Sequence, residues 1–149
     1  ERGFREALQA HGIELSPHYC FRSDTFSHAS GVQAAQRLME LASPPDAIFC
    51  VNDVLAMGMM DGARERGVRV PQDVWIVGYD DIEIASWGAY DLTTVRQPME
   101  QMVSQAIELL LARIEDRDRP VEQRVLANEL VIRSSTARTM PPYPDKDDS

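Results

Sequence analysis

Cysteine is nearly absent: Cys20 and Cys50 stand alone, with no C-x-x-C spacing. A disulfide-dense scaffold or a thiolate metal site needs more sulfur than this. Both cysteines lie in apolar stretches, so two reduced, buried thiols are expected, with a disulfide between them left open. Long hydrophobic runs are missing as well. No stretch approaches the length of a membrane span, and no signal-peptide pattern opens the chain. The chain starts at Glu1 without an initiator Met, which reads as a trimmed fragment. Positive charge is short: 15 Lys and Arg stand against 24 Asp and Glu, a formal net charge of -9 at pH 7. Arg64, Arg66 and Arg69 cluster, but Asp61 and Glu65 lie among them, so there is no basic stripe of the kind that holds nucleic acid. This chain alone is a poor candidate for gripping DNA.

Catalytic signatures are also lacking. There is no G-x-S-x-G, H-E-x-x-H, P-loop or G-x-G-x-x-G. His11, His18 and His28 fall in one short stretch without the same-face spacing of a helical metal pair. Gly58-x-x-x-Gly62 matches a membrane dimer motif, but its flanks are charged and its window is short. Asp80 and Asp81 are adjacent, so their side chains project apart, with no nucleophile in view. The expectation is a protein that is not an enzyme and carries no metal or cofactor.

What is present is ordinary for a globular protein: 149 residues, 44% apolar and 26% charged. That is enough for one domain with a sizeable core. Phe4, Ala7 and Leu8 mark a helix ended by Gly12. Residues 18–22 read as a strand. Residues 23–30 form a polar loop carrying the aromatic Phe26, and a helix runs from about Ser30 to Leu41. Pro44-Pro45 delivers the chain to a strand over 47–51. Asn52 and Asp53 are N-cap types for a helix over 54–66. Its first turns are apolar nearly all round: Leu55, Met59 and Ala63 suit a sheet, while Val54, Met57 and Gly58 want a second partner. That partner is either the rest of one domain or another subunit. Strands follow over 74–79 and 92–97. The longest amphipathic helix spans 99–114, with Met102, Val103, Ala106, Leu109, Leu110 and Ile114 on its apolar side. A last strand or pair of short strands lies within 124–133. Residues 139–149, rich in Pro and Asp, have nothing to bury and are expected to be disordered. Strand–helix alternation with crossover-length connections argues an α/β fold, a parallel sheet flanked by helices.

Residues 70–98 are the organising stretch. The buried-looking strand 74–79 ends at two carboxylates, Asp80 and Asp81, where ligands sit in open α/β sheets. Either acid could instead cap the next helical turn. Phe26, Asn52 and Asp80 all lie near strand ends. An aromatic face with a few polar groups suits sugars and nucleosides. Phe26 could equally fold back onto the core.

The pattern V-P-x-D-V-x-I-V-G-Y-D-D followed by L-T-T-V-x-Q-P closely resembles the lactose/galactose-repressor family of bacterial transcription regulators. The similarity runs from R-G-F-R-E-A-L at Arg2 to E-L-V-I-R-S-S-T ending at Thr136, through P-D-A-I-F-C-V-N-D-V-L-A-M-G. It implies a periplasmic-binding-protein-like core of two lobes, with the effector in the cleft between them. Residues 1–138 would be the truncated effector-binding and dimerisation domain, mostly the C-terminal lobe, with 92–115 crossing to the other lobe. By position, Phe26 matches the aromatic that stacks on the effector, Asn52 a polar contact and Asp80 the acidic anchor. A clamping arginine would precede Glu1. Val54, Met57, Gly58 and Asp61 fall on the family's dimer-interface helix, with residues 27–31 and 84–89 beside it. Ala89-Tyr90-Asp91 and Met102 depart from the family pattern, away from the ligand positions. The resemblance implies a cytoplasmic homodimeric repressor core, with a sugar or nucleoside-like effector and no membrane partner. Operator DNA would be held through a headpiece absent from this chain. The alternative is a periplasmic sugar-binding protein of a transport system.

Overall fold

Glycine and serine set the first boundaries in the computed structural model, which describes residues 1–137. Helix α1, Arg2–Ala10, ends where Gly12 turns to φ +71° and donates its N–H to the Gln9 carbonyl. Helix α2, His28–Met39, starts earlier than its apolar periodicity implies, because Ser27 is the N-cap and its Oγ accepts from the Ser30 N–H at 3.2 Å. Strand β1 is Ala47–Phe49, helix α3 is Asp53–Glu65 and strand β2 is Trp75–Asp80. Strand β3, Thr93–Arg96, precedes helix α4, Met99–Glu115, and strand β4 is Glu129–Val131. Residues 139–149 lie outside the described residues.

The sheet order is β1-β2-β3-β4. The β1–β2 and β2–β3 pairs are parallel, as the alternation of strands and helices demands, with Ile48 opposite Ile76 and Asp80 opposite Arg96. The β4 strand adds an antiparallel edge, Val131 opposite Thr94. The fold is therefore mixed α/β, mostly parallel, and periplasmic-binding-protein-like.

Alternation along β2 divides the sheet into two faces. Ile76 and Gly78 face α2 and α3, where Ala35, Leu38, Ala56, Met59, Val74 and Leu92 complete the core. Burying a residue such as Ile76 or Leu92 contributes about 1.5–3 kcal/mol, so the core sits on this side. On the other face, Phe4 of α1 stacks on Phe49 at 5.4 Å between ring centroids.

Two expectations fail. Residues 18–22 are not a strand. Pro17 has no N–H to give a ladder, and Ser16 caps a 3-10 turn over Pro17–Tyr19 instead. Helix α4 has the predicted apolar stripe, yet none of its residues is buried, and Val103, Leu110 and Ile114 stay more than half exposed. Among the described residues the stripe is covered only in part, by residues 119–128, whose Arg124 holds Glu108 of α4.

Candidate functional site

In a parallel sheet the C-terminal strand ends share one rim. Here that rim carries Asn52 and Asp53 after β1, Asp80 and Asp81 at the end of β2, and Arg96 and Gln97 at the end of β3. The Phe26 loop leads into α2, which packs on α3. Gly31 of α2 lies against Leu55, Gly58 and Met59 of α3, and Gly62 lies against Val32 and Ala35. The two helices therefore run in the same direction with their N-termini together. This close approach depends on missing side chains, since a Cβ on Gly58 would strike the His28 carbonyl.

Phe26 is 69% exposed, so its ring is not folded into the core. Asn52 does cap α3, accepting the Leu55 N–H at 2.9 Å through Oδ1. The cap occupies the side-chain oxygen and leaves its two amide donors. Asp80 does not cap the following 3-10 turn, Glu83–Ser86, which has Ile82 at its N-cap and no side-chain cap. Its Oδ1 accepts from Gln97 Nε2 at 2.8 Å. Asp80 and Asp81 adopt φ +115° and +55°, the left-handed half of backbone space that non-glycine residues avoid. Gln97 also lines a cleft of about 390 Å3 with Tyr79, Met102, Ala106 and Asn128.

Asp81 is held on both sides. Arg96 Nε donates to one oxygen at 2.6 Å and Arg133 Nη2 to the other at 2.7 Å. Burial would raise this carboxyl, but the hydrogen bonds from Arg133 and Arg96 outweigh it and hold it below the usual carboxylate value. Asp53 is fully buried. Burial raises its carboxyl, hydrogen bonds from Thr94 and the Ile82 backbone oppose this, and repulsion from Asp80 and Asp81 adds to the rise. The neighbouring Cys50 thiol is buried and pushed up to about 12, chiefly by burial and then by the Asp53 charge. Cys20 is half-buried, and both thiols are free.

The four residues assigned to a dimer surface separate. Met57 is 5% exposed, and Gly58 is packed on α2. Val54 is half-buried and still reaches the surface. Asp61 is occupied within the chain by His28 Nε2 at 2.8 Å, Tyr90 OH at 3.0 Å and Arg64 Nη1 at 2.8 Å. Arg64 also donates to the Ala89 carbonyl, so the segment after Asp80 is tied down along α3.

Sequence reasoning missed Gln97, Arg96, Arg133 and the burial of Asp53. Two signals were there. Thr93 and Thr94 are polar residues inside a core strand, and Gly78 leaves a side chain out of one, a sign of close approach.

Residues 1–136 match the family described as periplasmic binding protein-like domain. The chain is 36% identical over 140 residues to the HTH-type transcriptional repressor CytR of Escherichia coli, covering 94% of this chain and 40% of that protein. It is 37% identical over 134 residues to the ribose operon repressor of Haemophilus influenzae, covering 90% of this chain and 40% of that protein. Among solved structures, the transcriptional regulator CelR–cellobiose complex superposes with a TM-score of 0.81 at 35% identity, covering 90% of this chain and 41% of that one. The chain thus spans about two fifths of the length of the curated relatives it matches. It belongs to the periplasmic-binding-protein-like domain family, in the branch found in lactose-repressor-type transcription regulators.

Proposed function

We propose that this chain is the effector-binding and dimerisation domain of a bacterial DNA-binding transcription repressor that works in the cytoplasm. One observation carries the reading. In a chain of this family, Asn52, Asp80 and Gln97 lie at one strand-end rim, and Phe26 is an exposed ring in the loop leading into α2, the helix packed on α3. A ring of this kind stacks on the apolar face of a sugar or nucleoside while Asp, Asn and Gln fix its hydroxyls and amides. The relatives named for ribose and cellobiose support a sugar-type effector. The effector binds one lobe arrangement better and shifts the dimer toward it, changing operator affinity at a distance. Operator contact falls to a headpiece outside this chain, consistent with the net charge of -9 here. The periplasmic transport reading is weaker, because the curated relatives are transcriptional repressors.

The test is calorimetric titration of the chain with ribose, cellobiose and adenosine. Weak binding of one of them is expected, because this chain supplies mostly one lobe of the proposed cleft, and Asp80→Asn should weaken it about ten- to a hundredfold further at nearly unchanged Tm, the effect of one charge-assisted hydrogen bond. Binding indifferent to both Asp80→Asn and Phe26→Ala overturns the site. A salt-sensitive, sequence-specific shift of duplex DNA by the chain overturns the assignment of operator contact elsewhere.

A further inference from the structure

We propose that Asp53 is the positioning residue of the rim, a buried carboxylate that ties the helix start carrying Asn52 to the turn carrying Asp80 and the strand leading to Gln97. The inference rests on the binding role proposed for those three residues.

The two oxygens of Asp53 are spent across the fold rather than on its own helix. Oδ2 accepts the Ile82 N–H at 2.9 Å, just beyond Asp80 and Asp81. Oδ1 accepts the Thr94 hydroxyl at 2.5 Å, on the strand that ends beside Gln97. Thr94 Oγ1 in turn accepts the Asp81 N–H at 3.4 Å. A helix-capping role does not account for this arrangement, because Asn52 already caps α3. Space has been made for the carboxylate too. A Cβ on Gly78 would collide with Asp53 Oδ1, so β2 gives up a side chain in its interior, where glycine weakens a strand.

The charged neighbours are accounted for on every side. Asp80 and Asp81 repel Asp53 from the end of β2, and the Cys50 thiol faces it from the end of β1. Arg96 and Arg133 neutralise Asp81 and so spare Asp53 part of that repulsion. Asp80 sits at a backbone angle that surrounding structure must enforce, and the Asp53–Thr94–Asp81 link fixes the residue that follows it.

The experiment uses the whole 149-residue chain, labelled with 15N, in wild-type, Asp53→Asn, Thr94→Val and Thr94→Ser forms. The amides of Asn52, Asp81, Ile82 and Gln97 are expected to move with one shared midpoint as pH is varied. The Ala35 amide, in the α2 core, is expected not to follow. Asp53→Asn should abolish that shared transition, and Thr94→Ser should retain it. Any probe among ribose, cellobiose and adenosine that binds wild type should bind Thr94→Val about tenfold more weakly, the size of one lost hydrogen bond to a charged group. Thr94→Ser should restore the affinity. Independent titration of the four amides overturns the proposal, as does wild-type affinity in folded Thr94→Val. If no probe binds this one lobe, the shared transition alone decides the positioning role: its presence supports it and its absence overturns it.

Discussion

Thr94 donates its hydroxyl to the buried carboxylate of Asp53 at 2.5 Å, joining strand β3 to the start of α3. Removing that donor leaves a desolvated acceptor behind. Thr94→Val is expected to cost about 1–3 kcal/mol at neutral pH, and Thr94→Ser much less. The deficit depends on pH. Burial holds the Asp53 carboxyl above its ordinary value, so the native chain binds that proton more tightly than the unfolded chain does. Stability from this group is greatest below about pH 4 and falls as pH rises through the folded value. Without Thr94 the carboxylate is less satisfied still, so the Thr94→Val deficit should grow from pH 4 to 7 in urea unfolding. A deficit that shrinks over that range would refute the role given to Asp53.

Asp80 combines a candidate ligand contact with φ +115°. Such a conformation costs a non-glycine residue about 1–3 kcal/mol, whereas glycine adopts it freely and loses about 0.5–1 kcal/mol of chain entropy elsewhere. Asp80→Gly should therefore be about 1 kcal/mol more stable than Asp80→Ala, reversing the usual order of the two residues. Both should lose effector binding. Equal stability of the two variants would show that the backbone there is unstrained.

Asp81 should act on stability in the opposite pH sense to Asp53. Its carboxyl is held below the usual value, so its contribution is present above about pH 4 and is lost as pH falls through the folded value. Its two arginines are not equivalent. The Arg133 side chain is 14% exposed and Arg96 48%. Exposed ion pairs contribute about 0–1 kcal/mol, so Arg96→Met should cost little, while Arg133→Met should cost about 1–3 kcal/mol and flatten the acid limb of unfolding. Equal costs for the two would contradict this division.

The elements legible in the sequence were those specified locally. Strand β2 was announced by Pro71 and Asp73 ahead of its apolar run, and α3 was bounded by Asn52 and Gly67. What stayed hidden is non-local. Asp53 reads as a helix-start acid until Gly78, on another strand, opens the space that its carboxylate fills. Gly58 reads as lying on a face that wants a second partner, but helical period cannot say that α2 is what packs on it. Gln97 and Arg133 meet Asp80 and Asp81 only once β3 and the turn after β4 are in place. The strand expected at 18–22 had suitable residues but no neighbouring strand, and residue type alone does not make a ladder.

Self-association is probed at Val54 rather than at Met57. Met57 is 5% exposed, so Met57→Glu would bury a carboxylate and unfold the chain whatever the interface is. Val54 reaches the surface. The segment that follows Asp80 runs along the same helix, from Ile82 at Asp53 to Ala89 at Arg64, and exposes Ile84 and Trp87, the latter 53% exposed. The test therefore takes Val54, with Ile84 and Trp87 on the neighbouring segment, as the proposed apolar centre of a homodimer contact rimmed by Asp61 and Arg64. Val54→Glu should give a folded monomer in sedimentation, with the unfolding midpoint of wild type. The competing surface is the stripe of α4, where Val103, Leu110 and Ile114 are 53%, 59% and 64% exposed. Association that survives Val54→Glu and disappears in Leu110→Glu would place the contact on α4 and remove the α3 patch from consideration.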